Sequence, residues 1–116
     1  MTFTIKQSYF GTRYSVSNGE SYFEIYNYSP IPKSNPMSIP SMSISVDESC
    51  QGQGLTRIMM REMMDNLKWS GDTLLYIDAD ASSGFWRHIG MKPNENGNGY
   101  ELFITVDDLN KYINHH

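Results

Sequence analysis

The stretch from residue 41 to 79 constrains the chain most, because its apolar period changes twice within forty residues. Met42, Ile44 and Val46 alternate with Ser41, Ser43, Ser45 and Asp47, the period-two pattern of a strand with one apolar and one polar face. Leu55, Ile58, Met59, Met63 and Leu67 then recur at three-to-four spacing, with Arg57, Arg61, Glu62, Asp65 and Lys68 largely opposite. That spacing predicts an amphipathic helix from Leu55 to Trp69, with Gly71 placed to end it. Thr73 to Ala79 is a short, nearly continuous apolar run, which suits a strand buried on both faces. A strand, a helix and a second strand in one sheet run parallel through a right-handed crossover, so a sheet with at least one parallel pair follows.

The flanking segments add strands of the other kind. Phe3 and Ile5 alternate within Thr2 to Ser8, and Arg13 to Ser17 and Tyr22 to Tyr28 do the same around the tight-turn pair Asn18-Gly19. Four prolines, Pro30, Pro32, Pro36 and Pro40, make Ser29 to Pro40 a connecting loop, since each removes a ladder donor and fixes its backbone. Beyond the parallel unit, Asp80 or Ser82 can cap a second helix that runs to about Ile89 and stops at Gly90. Pro93 to Gly99 reads as a turn, Tyr100 to Val106 as a strand, and Asp107-Asp108-Leu109 as the acidic first turn of a short final helix. The expectation is one α+β domain spanning 1–116, with helices packed on a mixed, mostly antiparallel sheet.

Charge and cysteine usage narrow the function classes. A net charge of -4, with nine scattered Lys and Arg, argues against binding nucleic acid through phosphate contacts, so no nucleic-acid partner is expected. The single cysteine, Cys50, excludes an internal disulfide and a multi-cysteine zinc site, and the default compartment is a reducing cytoplasm. No apolar run is long enough to cross a bilayer, so no membrane partner is expected either. His115 and His116 carry no weight as ligands, and no metal is expected.

Gln51-Gly52-Gln53-Gly54 lies between the strand and the start of the helix. There the first backbone N-H groups have no partner within the helix and the macrodipole is positive, so anions bind. Glycine at 52 and 54 admits an oxygen-rich group to the backbone, as a diphosphate requires. Walker A and the three-glycine Rossmann pattern do not fit. The plain alternative is that the two glycines only shape a strand-to-helix turn.

Those residues resemble the acetyl-CoA pyrophosphate loop of the GNAT superfamily, Gln/Arg-x-x-Gly-x-Gly/Ala. Gln51 stands first, Gly54 in the middle, and Thr56 departs from the small residue at the last place. Val46 ends the preceding strand, and Arg57-Ile58-Met59-Met60 supplies the basic-then-apolar helix start. Gly84-Phe85-Trp86-Arg87-His88-Ile89-Gly90-Met91 is similar to the family's later helix, with Gly90-Met91 in place of Gly-Phe and Trp86 where a tyrosine is usual. The likeness covers about residues 41 to 106 and implies a short form of the fold without its early helices.

The resemblance implies acetyl-CoA as cosubstrate, held by Ile44, Ser45 and Val46 along the strand and by Gln51, Gly52, Gln53, Gly54, Leu55 and Thr56 at the pyrophosphate, with Phe85 and Arg87 also facing it. It implies an N-acetyltransferase, in which a primary amine of a small molecule, peptide or protein attacks the thioester directly while the Val46 N-H polarises its carbonyl. Asp47 and Glu48 are base candidates, with Glu24, Asp78 and Asp80 as alternatives. Trp86 holds the usual acid position, but an indole N-H does not donate its proton near neutral pH, so Tyr14, Tyr76 or Tyr100 enters consideration. The alternative reading is a non-catalytic CoA-binding or regulatory module. Oligomeric state, monomer or homodimer, is left open.

Overall fold

The computed structural model describes residues 1–9, 11–28, 39–47, 54–77, 83–95 and 100–114. Three antiparallel strands open the chain, β1 (Thr2–Ser8), β2 (Gly11–Asn18) and β3 (Ser21–Tyr28). Ser8 pairs with Gly11, and the Ser8 hydroxyl donates to the Gly11 carbonyl at 3.2 Å, so β2 follows β1 directly. Asn18 pairs with Ser21 across the second turn, where Gly19 sits at a φ of 64° that glycine adopts without strain.

The second half is β4 (Ile39–Ser45), α1 (Leu55–Leu67), β5 (Leu74–Ile77), α2 (Ser83–His88), β6 (Lys92–Pro93), β7 (Leu102–Thr105) and α3 (Val106–Asn114). Among the described residues these strands form one sheet in the order β1-β2-β3-β4-β5-β7-β6. β4 and β5 are parallel and every other pairing is antiparallel, the mixed sheet that the sequence pattern predicts.

Several boundaries differ from the sequence expectation. β4 starts at Ile39 and takes in Pro40, opposite Asn27; a proline is admitted here because it lies at the first residues of the strand. α1 ends at Leu67 because Lys68, not Gly71, takes the left-handed cap conformation (φ 51°, ψ 39°) and returns its N-H to the Met64 carbonyl at 3.1 Å. Gly71 meets a different demand. A side chain there would run into the Asp107 carboxylate, and its carbonyl accepts the Asp107 N-H at 2.9 Å. β6 overlaps the start of the segment that reads as a turn, at Pro93, with Lys92 and Pro93 pairing to Phe103 and Leu102. Val106 opens α3 instead of closing β7, because the Thr105 hydroxyl caps the Asp108 N-H at 3.1 Å.

The core lies on one side of the sheet. Val16, Phe23, Ile25, Met42, Leu75, Ile77, Leu102 and Ile104 are contiguous with Leu55, Met59, Met60, Met63 and Met64 of α1, Trp86 of α2, and Leu109 and Ile113 of α3. The other face, set by strand alternation, carries Tyr22, Glu24 and Tyr26 on β3, Ser41, Ser43 and Ser45 on β4, Tyr76 on β5 and Phe103 on β7. This arrangement leaves the end of β4 and the start of α1 at one rim of the sheet.

Candidate functional site

β4 and β5 meet at a single register pair, Ser41 with Tyr76. Among the described residues β5 ends at Ile77, one position past that pair, while β4 continues to Ser45. Open sheets with parallel strands bind ligands at the strands' carboxyl ends. Val46, half-buried, continues β4 against the core. The Asp47 N-H then donates to the Ser21 hydroxyl at 2.8 Å, and Ser21 is itself buried. That bond ties the end of β4 to the start of β3.

α1 begins at Gly54, whose φ of 75° and ψ of 10° lie in the left-handed region. Its carbonyl accepts the Ile58 N-H at 3.3 Å, the first bond of the helix. Gly54 provides no capping side chain and the first turn holds no acidic residue, so nothing in that turn neutralises the positive helix end. Nothing lies within 4 Å of where a Gly54 side chain would begin, so the glycine answers to the backbone turn and leaves space above it. Leu55 is buried in the core, anchoring the turn, and Thr56 is half-buried beside it.

The remaining sequence-predicted residues divide among several places. Ile44 is half-buried on the core side, while Ser45 is exposed on the opposite face. Glu48, Cys50, Gln51, Gly52, Gln53, Asp78, Asp80 and Ser82 lie outside the described residues. Phe85 is half-buried against the core and meets Trp86 edge-on at 5.1 Å, and Arg87 is exposed. Trp86 is only 1% exposed. Its carbonyl accepts the Met91 N-H and the Arg87 carbonyl accepts the Gly90 N-H, each at 3.1 Å, with Gly90 at a φ of 110°. This is a Schellman stop, in which the residue after the glycine packs back on the helix, here buried Met91 with buried Trp86. The Gly90-Met91 pair is thereby explained by helix termination.

Two groups that entered only as alternatives sit on either side of β4, on the face opposite the core. Glu24 stands across from Ser43 and accepts the Ser15 hydroxyl at 2.8 Å. Tyr76 stands across from Ser41, its ring 5.5 Å from that of Tyr100. Tyr14, by contrast, packs edge-on against Trp69 at 5.4 Å, on the core side of β2.

Sequence reasoning did not foresee the engagement of the α1 arginines. Arg57 lies 4.5 Å over the Tyr112 ring and donates from Nε to the Tyr112 carbonyl at 3.2 Å, and Arg61 donates to the Ile113 carbonyl at 2.9 Å. The basic residue at the helix start is therefore committed to the carboxyl end of α3. The i, i+4 spacing of the two arginines on one helix face was the available signal. No group of three or more potential metal ligands occurs among the described residues, and no described helix is long and apolar enough to cross a membrane.

No protein-family model and no curated protein sequence matches the chain. Solved structures do. The KacTA-DNA complex aligns over 90% of this chain and 74% of its own, at TM-score 0.56 and 19% identity. A candidate acetyltransferase from Exiguobacterium sp. aligns over 90% and 69%, at TM-score 0.55 and 10% identity. The AtaT-AtaR complex bound to DNA aligns over 87% and 71%, at TM-score 0.52 and 17% identity. The chain has a GNAT-like fold. The GNAT fold also corrects one expectation, that nucleic acid has no place among the partners, because two of these similar structures are complexes with DNA. Net charge speaks only to a chain that grips phosphates by itself, and it does not exclude DNA from an assembly in which another chain supplies cations.

Proposed function

We propose that the protein is an acetyl-CoA-dependent N-acetyltransferase, transferring acetyl to a primary amine in a ternary complex. The observation that carries this reading is the start of α1: a left-handed glycine opens the helix without an acidic first turn, in the crossover that joins the parallel strands β4 and β5. In this reading the α1 end, including Gly54, Leu55 and Thr56, holds the diphosphate with Gln51, Gly52 and Gln53 of the preceding loop. The pantetheine arm then follows Ile44, Ser45 and Val46 at the carboxyl end of β4. The acceptor nitrogen, as the free amine, attacks the thioester carbonyl; a C-N bond forms, the C-S bond breaks, and the thiolate leaves and takes up a proton.

Glu24 and Tyr76 flank β4 on one face, which supports Glu24 as the group that takes the amine's proton and Tyr76 as the group that returns one to sulfur. Asp47 and Glu48 are the competing bases. The test is calorimetric titration with acetyl-CoA together with assay of CoA release over a panel of amines and peptides. Gly54→Asp, which puts a carboxylate against the diphosphate, should abolish binding in a folded protein, and undiminished affinity would overturn the site. Glu24→Gln and Tyr76→Phe should each lower kcat about 100-fold with little change in acetyl-CoA affinity.

One observation favours a second reading. Trp86, at the usual acid position, is a core residue, as it would be in a module that binds CoA without turning it over. Saturable acetyl-CoA binding with no CoA release from any amine would select that reading.

A further inference from the structure

The outermost strand, β1, has features that the acyl-transfer reading does not use. It lies at the end of the sheet order, pairs in continuous register with β2 from Thr2 to Ser8, and contains no bulge. No described strand pairs with its other edge. Its residues are exposed apart from half-buried Phe3. Large apolar side chains that remain exposed among the described residues are Met1 at 50%, Ile5 at 55%, Tyr9 at 78% and Ile58 at 47%, and three of these four lie on or beside β1. Ile5 shares a face of β1 with Phe3, which meets the core, and Met1 and Tyr9 flank the two ends of the strand. A straight, seven-residue edge with an apolar stripe is what natural proteins avoid leaving in water; prolines, bulges and paired charges are the usual safeguards, and β1 has only Lys6.

We propose that β1 is the two-fold interface of a homodimer, pairing antiparallel with β1 of a second copy about Ile5. The strand is self-complementary in that register. Ile5 meets the partner's Ile5, Met1 meets the partner's Tyr9, and Phe3 meets the partner's Gln7, so the apolar stripe closes on itself. Lys6, the only charged residue of β1, meets the partner's Thr4, so no like charges oppose each other. A closed two-fold contact of this kind uses the same patch on both copies and leaves no β1 edge to propagate. It joins the two sheets into one and extends the core layer across the seam.

Sedimentation of the full chain over a range of concentrations tests the proposal. The wild type should sediment as a dimer. Ile5→Lys places two ammonium groups at the two-fold axis and should raise the dimer dissociation constant at least about tenfold with an unchanged circular dichroism spectrum. Thr4→Glu places a carboxylate opposite the partner's Lys6 twice per dimer and should tighten association about fivefold at low salt, an effect lost at high salt. A wild type that is monomeric up to its solubility limit overturns the proposal, and so does a dimer that Ile5→Lys leaves intact. Should Ile5→Lys fail to fold, a Thr4→Glu dimer no tighter than wild type overturns it as well.

Discussion

Lys68 occupies a backbone position that suits glycine better. A left-handed conformation costs a residue with a Cβ about 1–2 kcal/mol, and Lys68 accepts this to close α1 with its N-H on Met64. Lys68→Gly should therefore stabilise the protein by about 1 kcal/mol, and thermal unfolding should show a rise of about 4 °C. Gly71 was legible as a glycine that matters, but the reason was not. Its neighbour is Asp107, thirty-six positions on, and no local pattern reports a contact across that separation. Gly54 differs from both. Its position between a period-two and a period-3.6 segment was readable, and its left-handed backbone follows from that position. Because a Cβ there meets nothing, Gly54→Ala should cost only about the 1–2 kcal/mol of conformational strain, a loss seen in thermal melts without loss of fold.

Helix α3 acts as a splint along α1. Its amino end is tied near the far end of α1 by the Asp107 N-H to Gly71, and its carboxyl end is held by Arg57 and Arg61 on the first turns of α1. Cations at a helix carboxyl end satisfy orphan carbonyls and oppose the dipole there. Replacing both arginines with alanine should cost about 1–2 kcal/mol, a fall of about 4–8 °C in Tm, while Arg57→Lys keeps the charge but loses the flat stacking surface over Tyr112 and recovers only part of it. α2 makes a different point about elements. Its stop at Gly90 and its buried Trp86 form one unit, so Trp86→Tyr exchanges a filled core site for a smaller ring with a hydroxyl to satisfy. The expected result is a loss of about 1–3 kcal/mol with no gain in turnover, measured by chemical denaturation beside a CoA-release assay. Elements with four or more apolar repeats, α1 above all, were legible because burial of one face imposes the period. β6 was not, since two residues including Pro93 have no period to show and owe their strand geometry to β7.

At the scale of the molecule, the chain aligns with 69 to 74% of the length of the similar structures, and its first two strands follow one another through a short turn. Within it β4 pairs parallel with β5 and is followed by α1 at the rim of the sheet. That rim was legible as a fold signal, because strand, glycine and helix follow one another within a short span; which side chains flank β4 was not, since Glu24 and Tyr76 come from strands whose neighbours only pairing reveals. If the rim binds CoA, the native state is stabilised by RT ln(1 + [L]/Kd) whether or not chemistry follows. At a hundredfold excess of ligand over Kd this is about 2.7 kcal/mol, which for a domain of this size raises Tm by about 10 °C. Acetyl-CoA and CoA should give nearly equal shifts, because the diphosphate and pantetheine supply the contacts in this reading. Gly54→Asp should melt within a few degrees of wild type without ligand yet show no shift with it. A wild-type Tm indifferent to both ligands at millimolar concentration would remove the cofactor from this site and leave the GNAT fold here as a scaffold for another purpose.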